Sequence, residues 1–123
     1  MDDRTRRALT RGHLIDITTT GRRSGRPRRI EIVFHVIDGR IYISGMAGRA
    51  RSWLANMRSD PGFTFHLKGA VRADLPAVAR PITDEEERRR IFTEIVKVWR
   101  NQNVETMVAH SPLVEVTIQD LAA

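Results

Sequence analysis

The residues best suited to chemistry lie in Gly21–Arg29, GRRSGRPRR, where Arg22, Arg23, Arg26, Arg28 and Arg29 fall within one short stretch. Paired guanidinium forks bind phosphate and carboxylate. Gly21 and Gly25 let the backbone turn and come close to a ligand. A loop of this kind can hold a phosphate or a polycarboxylate, and it can equally be a solvated basic hairpin. Trp53 and Asn56 stand three apart on a predicted helix and so share a face. They follow closely after Gly45-Met46-Ala47-Gly48. A tryptophan in such a place is more often core than a ligand contact, and an asparagine beside it is usually surface.

Other chemistries find little support. His13, His35, His66 and His110 are too scattered for a metal-binding pattern, so each reads as structural. His35 and His66 fall on predicted strands and are able to share a barrel wall. No serine sits in a G-x-S-x-G turn. Neither a Walker loop nor a GxGxxG dinucleotide fingerprint is present. The chain has no cysteine, which removes disulfides, thiolate zinc sites and thiol catalysis. Gly25-Arg26-Pro27 has the core of an AT-hook, a segment that enters the DNA minor groove. Against a DNA role, the segment is clamped between two apolar strand patterns, and Ser24 stands where the hook carries arginine.

Charge points the same way as the loop. The 123 residues carry a formal net charge of +6. Residues 1–60 hold thirteen arginines against six acids, while residues 61–123 are close to neutral. Nineteen arginines against two lysines favour an anionic ligand, although a GC-rich genome gives the same bias. The length fits one domain. With no apolar run near the ~20 residues of a membrane span and no secretory signal, a cytoplasmic home is expected.

The elements that must position these residues follow from periodicity. Residues 1–12 read as a flexible or helical lead-in. Leu14–Thr19 reads as a strand, Gly21–Arg29 as a turn, and Ile30–Ile37 as an alternating strand with Ile30, Ile32, Phe34 and Val36 on one face. Asp38-Gly39 predicts a hairpin into Arg40–Ser44. Arg49–Ser59 changes to helical spacing and stops at Asp60-Pro61. Phe63–Leu67 and Val71–Ala79 are strands, with Pro76 implying an edge or bulge. Thr83-x-x-Glu86 predicts a capping box for a helix whose apolar stripe is Ile91, Phe92, Ile95, Val98 and Trp99. The intervening DEEERRR run reads as a solvated face, with pairs such as Glu85–Arg89 and Glu86–Arg90. Val104–Ala109 is ambiguous, and Leu113–Gln119 is a final strand. Hairpins without regular helical crossovers predict a small, mainly antiparallel barrel with flanking helices rather than a doubly wound sheet.

Taken together, Ile17-Thr18-Thr19-Thr20-Gly21-Arg22-Arg23-Ser24-Gly25-Arg26-Pro27-Arg28, the Asp38-Gly39 hairpin, Ser44-Gly45 and Trp53-Leu54-Ala55-Asn56-Met57-x-x-x-Pro61 resemble the deazaflavin-dependent nitroreductase and quinone reductase family. The resemblance implies one split β-barrel over residues 1–123, similar to FMN-binding, pyridoxamine-oxidase-like proteins. It implies coenzyme F420, which carries a phosphate and a polyglutamate tail, with FMN as an alternative. Arg22, Arg23, Ser24, Gly25 and Arg28 match the anion-binding segment. Ser44, Gly45 and Met46 match the segment lining the ring, and Trp53 and Asn56 match the helix facing the cofactor. No residue is singled out as catalytic; a proton comes from solvent, Ser44 or His66. The chain departs from the family in its short turn Met46–Ser52 and in lacking a tyrosine-rich segment within Arg100–Ser111. The expected function is hydride transfer from reduced F420 to a quinone, nitroaromatic or enone. An F420- or flavin-carrying protein without reductase activity and a DNA-binding module are the competing readings. A small-molecule substrate is the expected partner, nucleic acid is not, and a homodimer is left open.

Overall fold

In a computed structural model, residues 1–48, 51–119 and 121 are described. Their elements are α1 (Asp3–Ala8), β1 (Leu14–Thr20), β2 (Pro27–Ile37), β3 (Arg40–Ser44), α2 (Ser52–Ser59), β4 (Gly62–Lys68), β5 (Arg72–Pro81), α3 (Glu85–Ile95), α4 (Val104–His110) and β6 (Leu113–Ile118). The six strands close into an antiparallel barrel in the order β1-β2-β3-β6-β5-β4. Closure leaves no open edge along the wall.

Two cores result. Alternate residues fill the barrel interior: Ile15 and Ile17 of β1, Phe34 of β2, Ile41 and Ile43 of β3, Phe65 of β4, and Val114 and Val116 of β6. Phe34 meets Phe65 edge to face, with centroids 5.1 Å apart. Trp53 and Met57 of α2 join this interior cluster, so α2 packs its apolar face against the barrel contents. A second cluster lies outside, where Ile91, Phe92 and Ile95 of α3 and Met107 of α4 cover Tyr42.

The β1–β2 connection is tighter than its composition suggests. The ladder runs to Thr20↔Pro27, so the turn is only Gly21–Arg26, and Arg28 and Arg29 lie on a strand. Gly21 N–H donates to the Arg26 carbonyl (2.8 Å), and Gly25 N–H donates to the Gly21 carbonyl (2.8 Å). Gly25 has φ +70°, a conformation side chains disfavour. Pro27, lacking an N–H, is tolerated as the first residue of its strand. Asp38 (φ 53°) and Gly39 (φ 74°) are both left-handed, as a two-residue hairpin requires.

Several boundaries move. The lead-in contains α1, capped by the Asp2 side chain accepting from Thr5 N–H. The first residues of the predicted Arg49–Ser59 helix, Arg49 and Ala50, lie outside the described residues; the helix is seen from Ser52. Pro76 sits just before the β5–β6 ladder begins at Ala77↔Ile118, where no partner on that side needs its N–H. Asp84, not Thr83, caps α3, because its carboxylate accepts from Glu87 N–H at 2.9 Å. The helix ends at Ile95, so Val98 leaves the apolar stripe and is 70% exposed. Ile30 is likewise exposed at the barrel mouth rather than buried. Val104–His110 resolves as α4, capped by Asn103.

Candidate functional site

The tight turn sets the loop arginines around a cleft of about 710 Å³ between the β1–β2 ribbon and α2. Arg22, Arg23, Ser24, Arg28, Trp53 and Asn56 line it, together with Thr19, Gly21, Pro27, Arg29, Ile30 and Ser52. The structure thus gathers six of the ten sequence-derived candidates. Gly25 supplies the turn itself. Ser24 is partly committed, since its hydroxyl accepts from Arg26 N–H at 3.1 Å.

Asn56 is the residue that fastens this arrangement. It is buried, contrary to the surface position expected for it. Its amide Nδ2 donates to Thr19 Oγ1 (3.0 Å), and its Oδ1 accepts from Arg22 N–H (3.0 Å). Helix α2 is thereby tied both to β1 and to the first arginine of the turn. Buried amides need such partners, and both ends of Asn56 have one. Thr19, which the motif reading left without a role, completes the clamp.

The guanidiniums in the cleft are exposed, and among the described residues Arg22, Arg23 and Arg28 have no carboxylate partner. Arg29 differs. It too borders the cleft, but its guanidinium is engaged, with Nε donating to Asp16 Oδ2 at 2.9 Å on the outer wall. Lys68 also donates to Asp16 (2.7 Å) and to Glu31. The hydrogen bonds from Lys68 and Arg29 hold the Asp16 carboxyl below its usual range.

Ser44, Gly45 and Met46 do not line this cleft. Ser44 is 1% exposed, and its hydroxyl donates to the Pro112 carbonyl at 2.7 Å, which commits it structurally. Met46 is exposed, and its carbonyl accepts from Arg51 Nη2 (2.8 Å). The Arg51 guanidinium lies so close to Gly45 that a Cβ there would fall 2.6 Å from Nη2. Their partners Arg51 and Pro112 line a second cavity on the other side of α2, of about 840 Å³.

That second cavity holds residues the sequence reading passed over. Arg88 belongs to the DEEERRR run yet is turned inward, half-buried. It donates to the carbonyls of Ile82 (2.8 Å), Met107 (3.2 Å), Val108 (2.9 Å) and Ser111 (2.5 Å). It thus receives the C-terminal carbonyls of α4, a favourable place for a cation. Burial, and then the nearby Arg58 guanidinium, push its pKa down. A signal existed: Arg88 precedes Ile91, Phe92 and Ile95 by three, four and seven positions, and so extends their stripe by a turn. Elsewhere in the run Glu85 pairs with Arg89 as expected (2.9 Å), but Glu86 and Arg90 form no ion pair.

The histidines occupy separate niches. His66 is on the outer wall, its Nε2 bonded to Thr18 Oγ1 (2.7 Å) and its Nδ1 to Asp74 Oδ1 (2.7 Å). That bond, with the charge of His66, lowers the Asp74 pKa. His66 lies in neither cleft, so as a proton donor it has the wrong position. His35 packs edge-on against Trp99 (4.7 Å), its Nε2 has no protein partner, and burial lowers its pKa to about 4. Among the described residues no group of three or more His, Asp or Glu is placed to hold a metal. Among the described residues no helix is long and apolar enough to cross a membrane.

Residues 2–120 match the family model described as F420H(2)-dependent quinone reductase. Solved structures share the fold. A conserved hypothetical protein from Mycobacterium tuberculosis is 19% identical, with 97% of this chain and 81% of that one covered and a TM-score of 0.71. A structure described as an F420-H2 dependent reductase is 21% identical, with 85% and 93% covered and a TM-score of 0.63. A putative pyridoxamine 5'-phosphate oxidase from Listeria innocua is 16% identical, with 88% and 86% covered and a TM-score of 0.60.

Proposed function

The chain belongs to the F420H(2)-dependent quinone reductase family, and on that premise we propose that it binds coenzyme F420 across the mouth of the barrel and reduces a quinone-type acceptor. The family supports F420 as the cofactor and gives FMN no support. The observation that carries the reading is the set of three arginines, Arg22, Arg23 and Arg28, that line one cleft without carboxylate partners among the described residues. A phosphate and a polyglutamate tail supply the missing negative charge. Trp53 and Ile30 offer apolar surface in the same cleft. Asn56 holds the arginine turn against α2, so the cations are positioned before the ligand arrives.

When bound, the reduced deazaflavin supplies a hydride, and a quinone that takes this hydride plus one proton becomes a hydroquinone. The protein's contribution is binding, orientation and exclusion of water. Ser44 and His66 have their polar atoms engaged elsewhere, which supports solvent as the source of the proton.

Equilibrium titration tests the reading. F420 binds with micromolar or tighter affinity, NADPH does not, and affinity falls with added salt and rises with tail length. Tight NADPH binding with no F420 response overturns it. Binding without turnover of a generic quinone leaves a carrier. A-tract duplex binding lost on Arg26→Ala, with F420 affinity untouched by loop mutations, returns the loop to DNA.

A further inference from the structure

The cavity of about 840 Å³ beside α2 has a chemistry that the cofactor reading does not use. Its volume is that of a small-molecule site. Arg58 of α2 and Arg88 of α3 both line it, and they are close enough for the charge of Arg58 to depress the pKa of Arg88. Like charges repel, and holding two of them at one cavity is unfavourable unless an anion enters between them. Neither has a carboxylate partner among the described residues.

Arg88 is fixed. Its four bonds to carbonyls use Nε, one N–H of Nη1 and both of Nη2. Five donors less four leaves one Nη1 N–H for a ligand. The carbonyls orient this cation without neutralising it. Ser111, in the same wall, is buried with a hydroxyl that no protein atom satisfies. Buried hydroxyls are rarely left so, and this one belongs to a residue of the cavity's lining. The acids at the cavity, Glu85 and Glu105, are held by Arg89, at 2.9 Å and 2.8 Å. They leave the Arg58–Arg88 pair uncompensated.

Two of the cavity's lining residues are hydrogen-bonded to the segment matched to the cofactor ring. Arg51 lines it and donates to the Met46 carbonyl, and Pro112, which accepts from Ser44, is part of its wall. We propose that the acceptor reduced by this protein carries an anionic group, a carboxylate or sulfonate, that docks between Arg58 and Arg88 with its apolar body directed toward Gly45 and Met46. This rests on the reductase reading above and adds the acceptor's charge to it.

The test compares two naphthoquinones, 2-methyl-1,4-naphthoquinone and 1,4-naphthoquinone-2-sulfonate, with F420H2 as reductant. The readout is the ratio of kcat/KM for the sulfonate over that for the neutral quinone. Dividing each variant's ratio by the wild-type ratio removes the intrinsic reactivity of each compound. Arg58→Ala lowers the ratio about 10-fold, the loss of one charge-assisted hydrogen bond, mainly through KM for the sulfonate. Arg72→Ala, which removes an equal charge outside this cavity, leaves the ratio where it was. A ratio unmoved by Arg58→Ala, or moved equally by Arg72→Ala, overturns the proposal. Binding is read separately by titrating the cofactor-free protein with naphthalene-2-sulfonate and following backbone amide shifts. Shifts at Ser111 and Leu54 that weaken about 10-fold in Arg58→Ala support the site even if neither quinone turns over, in which case it is the reductase reading that fails. Absence of such shifts, with the neutral quinone still reduced, overturns the anion site and leaves the reductase reading standing.

Discussion

Arg28 and Arg29 are adjacent on β2 and both border the cleft, but only one of them is paired. Arg29 faces the outer wall, where Asp16, Lys68 and Glu31 form a closed set of ion pairs across β1, β2 and β4. Arg28 alternates to the other face of the strand, pairs across the ladder with Thr19, and has no carboxylate partner among the described residues. The two positions have the same residue type, the same strand and similar exposure. What separates them is whether the fold supplies a partner. A cation that the fold leaves unpaired beside a concave surface is available to a ligand, whereas one that the fold pairs is part of the wall. Charge density along the sequence does not distinguish them, and the alternation of a strand does.

The largest effect expected from this contrast concerns an unpartnered group that is buried rather than exposed. His35 has no partner for Nε2 and a pKa lowered by burial to about 4 from 6.5. Above pH 6.5 it is neutral in both folded and unfolded chains. As the pH falls toward 4, the unfolded chain takes up a proton that the folded one refuses, so stability declines through that window. The total loss is about 3 kcal/mol. Arg11, Asp38 and Glu94 line the same niche and are the charges able to temper it. Urea denaturation of wild type and His35→Gln between pH 7 and pH 4.5 measures this. The variant's curve stays flatter; parallel curves show that His35 finds a partner in solution.

Next in size is the cleft itself. Arg28→Ala weakens F420 binding roughly 10- to 100-fold, as expected for a charge-assisted hydrogen bond of about 1.5–3 kcal/mol. Arg26→Ala, at the exposed end of the turn, costs no more than one screened charge. Thermal stability is unchanged in both, since neither side chain has a partner to lose. Equal losses of affinity from the two variants would mean that the ligand reads net charge and not the position Pro27 gives Arg28.

Asn56→Ala sharpens the comparison from the protein side. It breaks one buried and one part-buried hydrogen bond and leaves Thr19 Oγ1 and Arg22 N–H without that partner. Stability falls by about 2 kcal/mol. F420 affinity falls too, because the turn carrying Arg22 is no longer tied to α2. Calorimetric Tm and the same titration report both effects, and a stability loss with intact affinity would separate the clamp from the site.

These residues also show how far the sequence could be read. Every strand is visible as alternation or as a hairpin signal, because burial on one face of a barrel is local to each strand. Asp38-Gly39 even specifies its turn. The cap of α3 is displaced by one residue because Thr83 and Asp84 are both competent caps, and the helix geometry chooses between them. Asn56 and Arg88 carry no such mark. Asn56 is buried only because β1 and its turn come to rest against α2, and Arg88 turns inward only because α4 brings its terminal carbonyls to α3. Both depend on contacts between segments distant in the chain. Strand alternation already implied that Arg28 and Arg29 diverge, but a turn drawn out to Arg29 concealed it. Ser44 was legible as a motif position, and its commitment to Pro112 was not.

The smallest effect belongs to the outer wall. Arg29 is more than half exposed, so its bond to Asp16 is worth at most about 1 kcal/mol, and salt weakens it further. Arg29→Ala therefore shifts Tm by only a few degrees at low salt and less at high salt. Lys68 keeps Asp16 paired in its absence. F420 affinity changes less than three-fold, because the Arg29 guanidinium at the cleft's border is already committed to Asp16. The salt dependence is the useful part. Loss of Arg29 makes stability less sensitive to salt and leaves the salt dependence of F420 binding intact, while loss of Arg28 does the reverse. If Arg29→Ala instead flattens the salt dependence of binding, the cofactor's tail runs over the outer wall, and the division between paired and unpaired arginines on β2 fails.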